Sequence, residues 1–404
     1  MSNGIVIVGG GQAAAQTALS LRQNKFEGPV TLVSEEPDLP YQRPPLSKKY
    51  LSGELDAARL PLKPEAFYDK AAVTLRLGCP VEAIDRENQL VALSGGERLS
   101  YDGLVLATGS RVRPLPGAEP GTPGVHYMRT RADSDGLAPH LKAGARMTLI
   151  GAGYIGLEVA AIARKAGMEV TVIERDERVL ARVTAPEVSA FYRTRHEAEG
   201  VHFAFGAMME TLETAPDGHQ ITLAGGTQIA GEVLVVGIGI LPNQEIAAEA
   251  GIACDNGIIV DDRTRTNDPL ICAAGDCTQH PSALYGRGIR LESVHNAIEQ
   301  GKTAAATLCG KELVYDQVPW FWSDQYDLKL QTAGLLQDYD QTVLRGDPQA
   351  NSFACFYLKA GQLIAVDAVN AALDYLKGRE LIGQKAHPDV AHLADPDFPI
   401  KEIS

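Results

Sequence analysis

Residues 4–15 read GIVIVGGGQAAA and residues 148–158 read TLIGAGYIGLE. Each puts an apolar run directly before a glycine-rich turn that opens into helix-forming residues, the arrangement in which backbone amides at a helix N-terminus receive a pyrophosphate. One such loop is a weak sign, because glycine also serves any tight strand-to-helix turn. Here the surroundings repeat as well. The first copy predicts strand 5–8, a turn at 9–11, a helix from 12 to about 24 and strand 30–34 running to Glu35; the second predicts strand 147–150, a turn at 151–153, a helix from 154 to about 166 and strand 169–173 running to Glu174. Counted from the third motif position, Glu35 follows Ala14 by 21 residues and Glu174 follows Gly156 by 18, the reach at which a carboxylate accepts hydrogen bonds from an adenosine ribose. Ala14 in place of glycine is an allowed variant, since that position mainly sets helix–strand packing. Two loops of this kind point to two dinucleotides.

The 404 residues are too many for one ordinary core, so two or three domains are expected. A net charge of −14 disfavours nucleic acid as a partner. No run approaches the roughly 20 apolar residues of a membrane span, the longest candidate being VLVVGIGIL at 233–241, and the N-terminus has no basic segment before a signal-like core. The expectation is a soluble, cytoplasmic protein. Its six cysteines (79, 254, 272, 277, 309 and 355) are scattered and read as free thiols. Cys272 and Cys277 have the C-x4-C spacing of a redox dithiol, but Cys272 ends an apolar strand, and core packing is the preferred reading. Histidine, cysteine and carboxylate spacings offer no metal site.

Further apolar strands run into small residues in YDGLVLATGSRVRPLPG at 101–117, GEVLVVGIGILPN at 231–243 and LICAAGDCT at 270–278, where backbone can approach a ligand at the carboxyl end of a strand. The turn-rich PGTPGV at 120–125 marks a possible crossing between domains. From PWFWSDQYDL at 319 the pattern changes to aromatic and alternating segments, such as NSFACFYL at 351–358 and QLIAVDAV at 362–369, and a third, α+β domain is expected there.

GGGQAAAQTA, YQRPPLSKKYL, LVLATGS, LIGAGYIGLEVA, VIERDERVL, VLVVGIGILPN, AAGDC, ESVHNAIEQGK and PWFWSDQYDLKLQ stand here in order along nearly the whole chain. In this the chain resembles the NADH-dependent ferredoxin reductases of the putidaredoxin reductase type, within the glutathione-reductase-like FAD- and NAD-linked flavoproteins. YQRPPLSK and WFWSDQYD are the most specific pieces, because the glycine fingerprints are shared by the wider fold. The resemblance implies an α/β fold with two Rossmann-like dinucleotide-binding domains: FAD-binding over 1–110 and 236–316, NAD-binding over 111–235, and a C-terminal α+β domain over 317–404. It implies that Gly9, Gly11, Ala13 and Ala14 meet the FAD pyrophosphate, Glu35 the ribose, backbone near Val81 the adenine, Asp276 the ribityl chain and Val294 the flavin pyrimidine. Arg43, Pro45, Lys48, Ala107, Thr108, Gly109, Arg129 and Trp320 complete the expected FAD contacts. For NAD it implies Gly151, Gly153, Tyr154, Ile155, Gly156, Glu158, Glu174, Arg182 and Gly239.

Flavin chemistry needs a positioned hydride donor and a group that accommodates charge at N5, the ring itself handling the electrons. By resemblance Lys48 is that group and Glu158 its salt-bridge partner; by residue type alone Lys48 is an exposed member of a basic pair with Lys49, and Glu158 a helix-terminus carboxylate. Glu174 favours the free ribose hydroxyl of NADH, while Arg175 and Arg182 are placed to attract the phosphate of NADPH. Trp320 and Trp322 alternate on a strand, so both face one side, with core packing and a place flanking the flavin as the two readings. The expected reaction takes hydride from NADH to FAD and passes single electrons to a [2Fe–2S] ferredoxin that supplies an oxygenase such as a cytochrome P450 or ring-hydroxylating dioxygenase. A rubredoxin reductase and a non-catalytic flavoprotein of the apoptosis-inducing type are the alternatives. An acidic chain meeting an acidic partner needs a local basic patch, and Arg287, Arg290, Lys377 and Arg379 are its candidates.

Overall fold

The computed structural model describes residues 3–404. They fall into two compact units: the chain up to Gln42 with Ala57–Arg111 and Leu241–Pro319 forms the first, and Arg43–Asp56, Val112–Ile240 and Trp320–Ser404 form the second.

The first unit is built on a five-stranded parallel sheet in the order Ile271–Ala273, Gly103–Leu106, Ile5–Val8, Val30–Val33 and Val73–Arg76. Ile5–Val8 and Gly103–Leu106 are buried along their whole length, which is why each reads as an unbroken apolar run. One face is covered by helices Gln12–Gln23 and Val294–Leu308, whose Ala13, Ala14, Ala18, Ala297, Ala304 and Ala305 pack into one core with Ile5 and Ile7. The small residues let the helices lie close: a Cβ on Gly301 would come within 2.9 Å of the Ala13 carbonyl. On the other face Val6, Val8, Leu104 and Leu106 meet Ile84, Val91 and Leu93 of an antiparallel three-stranded sheet.

The second unit repeats the theme with a parallel sheet in the order Val201–Ala204, Glu169–Ile173, Arg146–Ile150, Val233–Val236 and Val125–His126, backed by the antiparallel strands Met209–Ala215, Gly218–Leu223 and Gln228–Gly231. The PGTPGV stretch lies inside this unit. Both glycine-loop helices end one residue before the expected position, at Gln23 and Lys165, with Asn24 and Ala166 as caps.

A further sheet of this unit is antiparallel, in the order Trp320–Gln325, Leu328–Gly334, Gln362–Val369, Ser352–Lys359 and Gln341–Asp347. Its central strands, read from the sequence as alternating segments, are buried at every position over Phe353–Leu358 and Leu363–Val369. Helix Ala372–Gly383 covers one side closely enough that a Cβ on Gly378 would lie 2.7 Å from Val366, and Phe191 of helix Pro186–Ala198 meets Phe353 edge-on at 5.0 Å. Among the described residues no helix is long and apolar enough to cross a membrane.

Candidate functional site

In the first unit the glycine turn is held by close backbone approach. Gly9 has φ +134°, and a Cβ there would lie 2.0 Å from the Ala107 carbonyl, so no other residue fits. A Cβ on Gly11 would meet nothing within 4 Å, and helix Gln12–Gln23 begins without a side-chain cap. Open space before uncapped helix amides suits the diphosphate of a dinucleotide. Beside the turn, Thr108 Oγ1 donates to the Asn243 carbonyl at 2.6 Å and Asn243 Nδ2 returns a bond to the Thr108 carbonyl at 2.9 Å. Asp276 accepts from Ser110 Oγ at 2.9 Å. Val294 opens its helix behind the Ser293 cap, Val81 opens strand Val81–Asp85, and the Glu35 side chain is exposed.

The second loop has the same open cradle at Gly153, and Gly151 stands at φ +104° against the Gly237 carbonyl. Gly156 is required sterically, since a Cβ would sit 2.3 Å from the Gly151 carbonyl. Ile155 is 41% exposed, unusual for isoleucine, and Tyr154 packs on Phe321 with ring centroids 4.8 Å apart. Arg182 and Gly239 lie near one another, and Arg182 is exposed. Glu174 accepts from the backbone amides of Ala152 at 2.6 Å and Asp176 at 2.9 Å, so its carboxylate braces the loop itself. The two acids are also not equivalent in register. Gly9 and Gly151 donate to the carbonyls of Val33 and Ile173, which makes Ser34 the counterpart of Glu174 and sets Glu35 one residue further on.

Lys48 and Glu158 meet at 2.7 Å, with side-chain exposures of 14% and 0%. Lys48 follows the short helix Pro44–Ser47, whose two prolines preset its turn, and its Nζ also donates to the Pro44 carbonyl at 3.3 Å. Glu158 lies in the first turns of helix Tyr154–Lys165. Two hydroxyls that no sequence motif singles out complete its shell: Ser47 Oγ donates to Oε2 at 2.5 Å and Ser323 Oγ to Oε1 at 2.7 Å. A buried carboxylate with three donors is well compensated, and removing a charged partner from such a pair costs about 3–5 kcal/mol. Nearby, Arg43 donates to the Arg129 carbonyl at 3.0 Å and Ser134 to the Leu46 carbonyl at 2.9 Å, which fixes the segment that carries Pro45 and Lys48. Trp320 and Trp322 lie 5.7 Å apart, as neighbours on one strand face, and the Arg379 guanidinium stands 5.8 Å from the Trp320 ring.

Two expectations need correction. Arg290 is not a free surface charge: its side chain is 13% exposed, paired with Glu292 at 2.5 Å and bonded to Asn256 at 3.2 Å. Lys377 is likewise 14% exposed and paired with Glu380 at 2.9 Å. Arg287 is exposed. Cys272 and Cys277 are free and fully buried, and burial pushes the Cys272 thiol up to about 12, far from redox reactivity. Among the described residues no cluster of three or more His, Cys, Asp or Glu is arranged to hold a metal.

A family described as pyridine nucleotide-disulphide oxidoreductase matches residues 3–301, and one described as reductase C-terminal matches residues 320–404. The chain is 42% identical over 403 residues to a ferredoxin–NAD(P)+ reductase of Sphingomonas sp, covering 99% of this chain and 97% of that one. It is 42% identical over 408 residues to putidaredoxin reductase of Pseudomonas putida, covering 100% and 97%, and 39% identical over 368 residues to a rubredoxin–NAD+ reductase of Pseudomonas putida, covering 91% and 95%. The crystal structure of the covalent putidaredoxin reductase–putidaredoxin complex matches with a TM-score of 0.95 at 41% identity, over 99% of this chain and 97% of that one. With two family matches that span nearly all of its length, the chain belongs to the pyridine nucleotide-disulphide oxidoreductases and carries their reductase C-terminal domain.

Proposed function

We propose that this protein is an FAD-dependent ferredoxin reductase that takes hydride from NADH and delivers single electrons to a [2Fe–2S] ferredoxin serving an oxygenase. The observation that carries the reading is the pair of open, uncapped helix N-termini behind Gly11 and Gly153, one for each dinucleotide, together with the buried Lys48–Glu158 pair. In this reading the FAD-binding residues lie in 1–110 and 236–316, the NAD-binding residues in 111–235 and the C-terminal domain in 317–404. When bound, FAD supplies a ring that accepts two electrons together and releases them one at a time.

The chain's own residues do the rest. Amides of the Gly9–Gly11 turn bind the FAD pyrophosphate, Glu35 accepts from the ribose and Asp276 from the ribityl hydroxyls. Amides of the Gly151–Gly153 turn bind the NADH pyrophosphate. Glu174 accepts from the ribose, and its charge repels the extra phosphate of NADPH. Ile155 and Tyr154 offer an apolar surface that excludes water beside the reacting ring. Lys48 would present its positive charge at flavin N5, and the Glu158 carboxylate 2.7 Å away holds its Nζ in place. None of these side chains would have to act as a general base for the hydride transfer that bound FAD would support. For docking we retain Arg287 and Arg379, since Arg290 and Lys377 are already paired with Glu292 and Glu380. A cytoplasmic location belongs to the same reading.

The test is a pair of assays on the purified holoprotein with NADH, one with ferricyanide and one with a [2Fe–2S] ferredoxin coupled to cytochrome c. Turnover in both supports the reading. Turnover with ferricyanide and a purified rubredoxin, but with no ferredoxin, would move the acceptor to rubredoxin. Sluggish oxidation of NADH by every acceptor would sink the enzymatic reading.

A further inference from the structure

Ser323 and Gln325 belong to the WFWSDQYD segment, and the proposed reaction gives neither a role. Both are buried, as are Ser47, Glu158 and His196. From Glu158 an unbroken line of hydrogen bonds runs outward: Ser323 Oγ to Glu158 Oε1 at 2.7 Å, Gln325 Nε2 to Ser323 Oγ at 3.1 Å, His196 Nε2 to Gln325 Oε1 at 2.8 Å, and Tyr326 OH to His196 Nδ1 at 3.1 Å.

The chemistry of each link fixes the direction of the whole. A tyrosine hydroxyl donating to Nδ1 leaves the imidazole proton on Nε2, where it donates to the Gln325 carbonyl oxygen. With that oxygen taken, the glutamine amide nitrogen must face Ser323. The serine oxygen accepts from it, so its single proton is left for Glu158. Burial holds His196 down at about 4, hence neutral, as this polarity requires. An amide does not pass a proton without leaving its stable form, so the line orients and does not conduct. The other titratable groups around it are Tyr154 and Tyr192, which feel Glu158 together with Asp367 and, for Tyr192, Asp324; Arg195 beside His196, with its partners Glu199 and Asp327; and Lys48 itself, while burial raises Asp367 to about 7.

We propose that Ser323, oriented by Gln325 and His196, is the positioning residue that holds the Glu158 carboxylate, charged and correctly turned, against Lys48. The C-terminal segment thereby sets the electrostatics of the hydride step. The proposal rests on the reading of Lys48–Glu158 as the flavin N5 pair.

The test uses holoprotein variants Ser323→Ala, Ser323→Thr and Gln325→Leu, with two readouts. One is a pH titration of the bound flavin's absorption spectrum without turnover; the other is stopped-flow flavin reduction by NADH from pH 5.5 to 9. Ser323→Ala is expected to raise the acidic transition in both by about one pH unit, the effect of losing one hydrogen bond to a charged group. Reduction then slows about tenfold on the acid side and less than about twofold at the alkaline end. Ser323→Thr keeps the hydroxyl and should stay near wild type, and Gln325→Leu should shift the same way by less. A wild-type profile in Ser323→Ala overturns the proposal, as does an equal loss at every pH that Ser323→Thr fails to rescue. Lys48→Ala separates the two levels: wild-type reduction there overturns the N5 reading and this proposal with it, whereas slowed reduction there beside an unaltered Ser323→Ala overturns the proposal alone.

Discussion

The two glycine loops share a motif, a strand register and an uncapped helix, yet they are braced by different means. In the second, the acid at the end of the neighbouring strand turns back and accepts from the loop amide of Ala152. In the first, the same place is held by Ser34, and the brace is a close approach: a Cβ on Gly10 would lie 2.1 Å from Ser34 Oγ. The first loop therefore leaves Glu35, the ribose acceptor of the proposed reading, exposed, while Glu174 supports the second loop and, in that reading, also receives the ribose. Equal motifs conceal unequal dependence on one side chain.

The largest effect is expected from Glu174→Ala. It removes the brace and the ribose acceptor together, so kcat/KM for NADH should fall about a hundredfold, roughly 2.7 kcal/mol, and the wild-type preference for NADH over NADPH, expected to be at least about tenfold, should vanish. Steady-state kinetics with both donors decide it, and equal wild-type rates with NADPH would refute the premise. The third motif position comes next. Gly156→Ala drives a methyl group into the Gly151 carbonyl and should raise the NADH KM about tenfold, whereas Ala14→Gly should cost only about 1 kcal/mol of helix stability and keep FAD bound.

A smaller effect separates the units themselves. Burial holds His280 in the first unit, and His196 and His219 in the second, down at about 4. Unfolded imidazole takes a proton near 6.5 and the folded one does not, so the unfolded state binds more protons between those values, and stability falls as pH drops from about 6.5 to about 4. With two such histidines against one, the second unit should lose more protection in hydrogen exchange at pH 5 than the first. His219 bonds Thr148 on the strand that feeds the second loop, so His219→Gln should remove part of that loss; an unchanged acid response would show another origin. The smallest effect is Glu35→Ala, expected to weaken FAD about threefold, measured by fluorescence titration of the released flavin, with the NADH KM untouched.

The glycine loops and the parallel strands are legible in the sequence because a strand buried on both faces is an uninterrupted apolar word and the turn after it demands glycine. The C-terminal strands were less so: read as alternating, Phe353–Leu358 and Leu363–Val369 are nearly continuous apolar runs, and helix Ala372–Gly383 and Phe191 cover the sides that an alternating strand leaves to water. The shell of Glu158 was invisible for a different reason. Ser47 and Ser323 lie 111 and 165 residues from it, and a serine carries no pattern that names its partner. Arg290 misled because a basic residue in a turn-rich stretch looks solvated until its glutamate two positions away is seen to fold back on it. The register offset between Glu35 and Glu174 was hidden as well, since counting from the motif does not show where each strand ends.

One pairing bears on how the chain is made. Leu104 and Ile271 lie side by side in the first sheet, so the strand begun early in synthesis waits for a neighbour 167 residues later. At about 5–20 residues per second, that is roughly ten to thirty seconds on the ribosome with an apolar strand edge uncovered. Meanwhile the parallel sheet of the second unit, contiguous from Val112 to Ile240, can close as soon as it emerges. The earlier-made strands of the first sheet are thus completed only after the sheet that follows them in the chain.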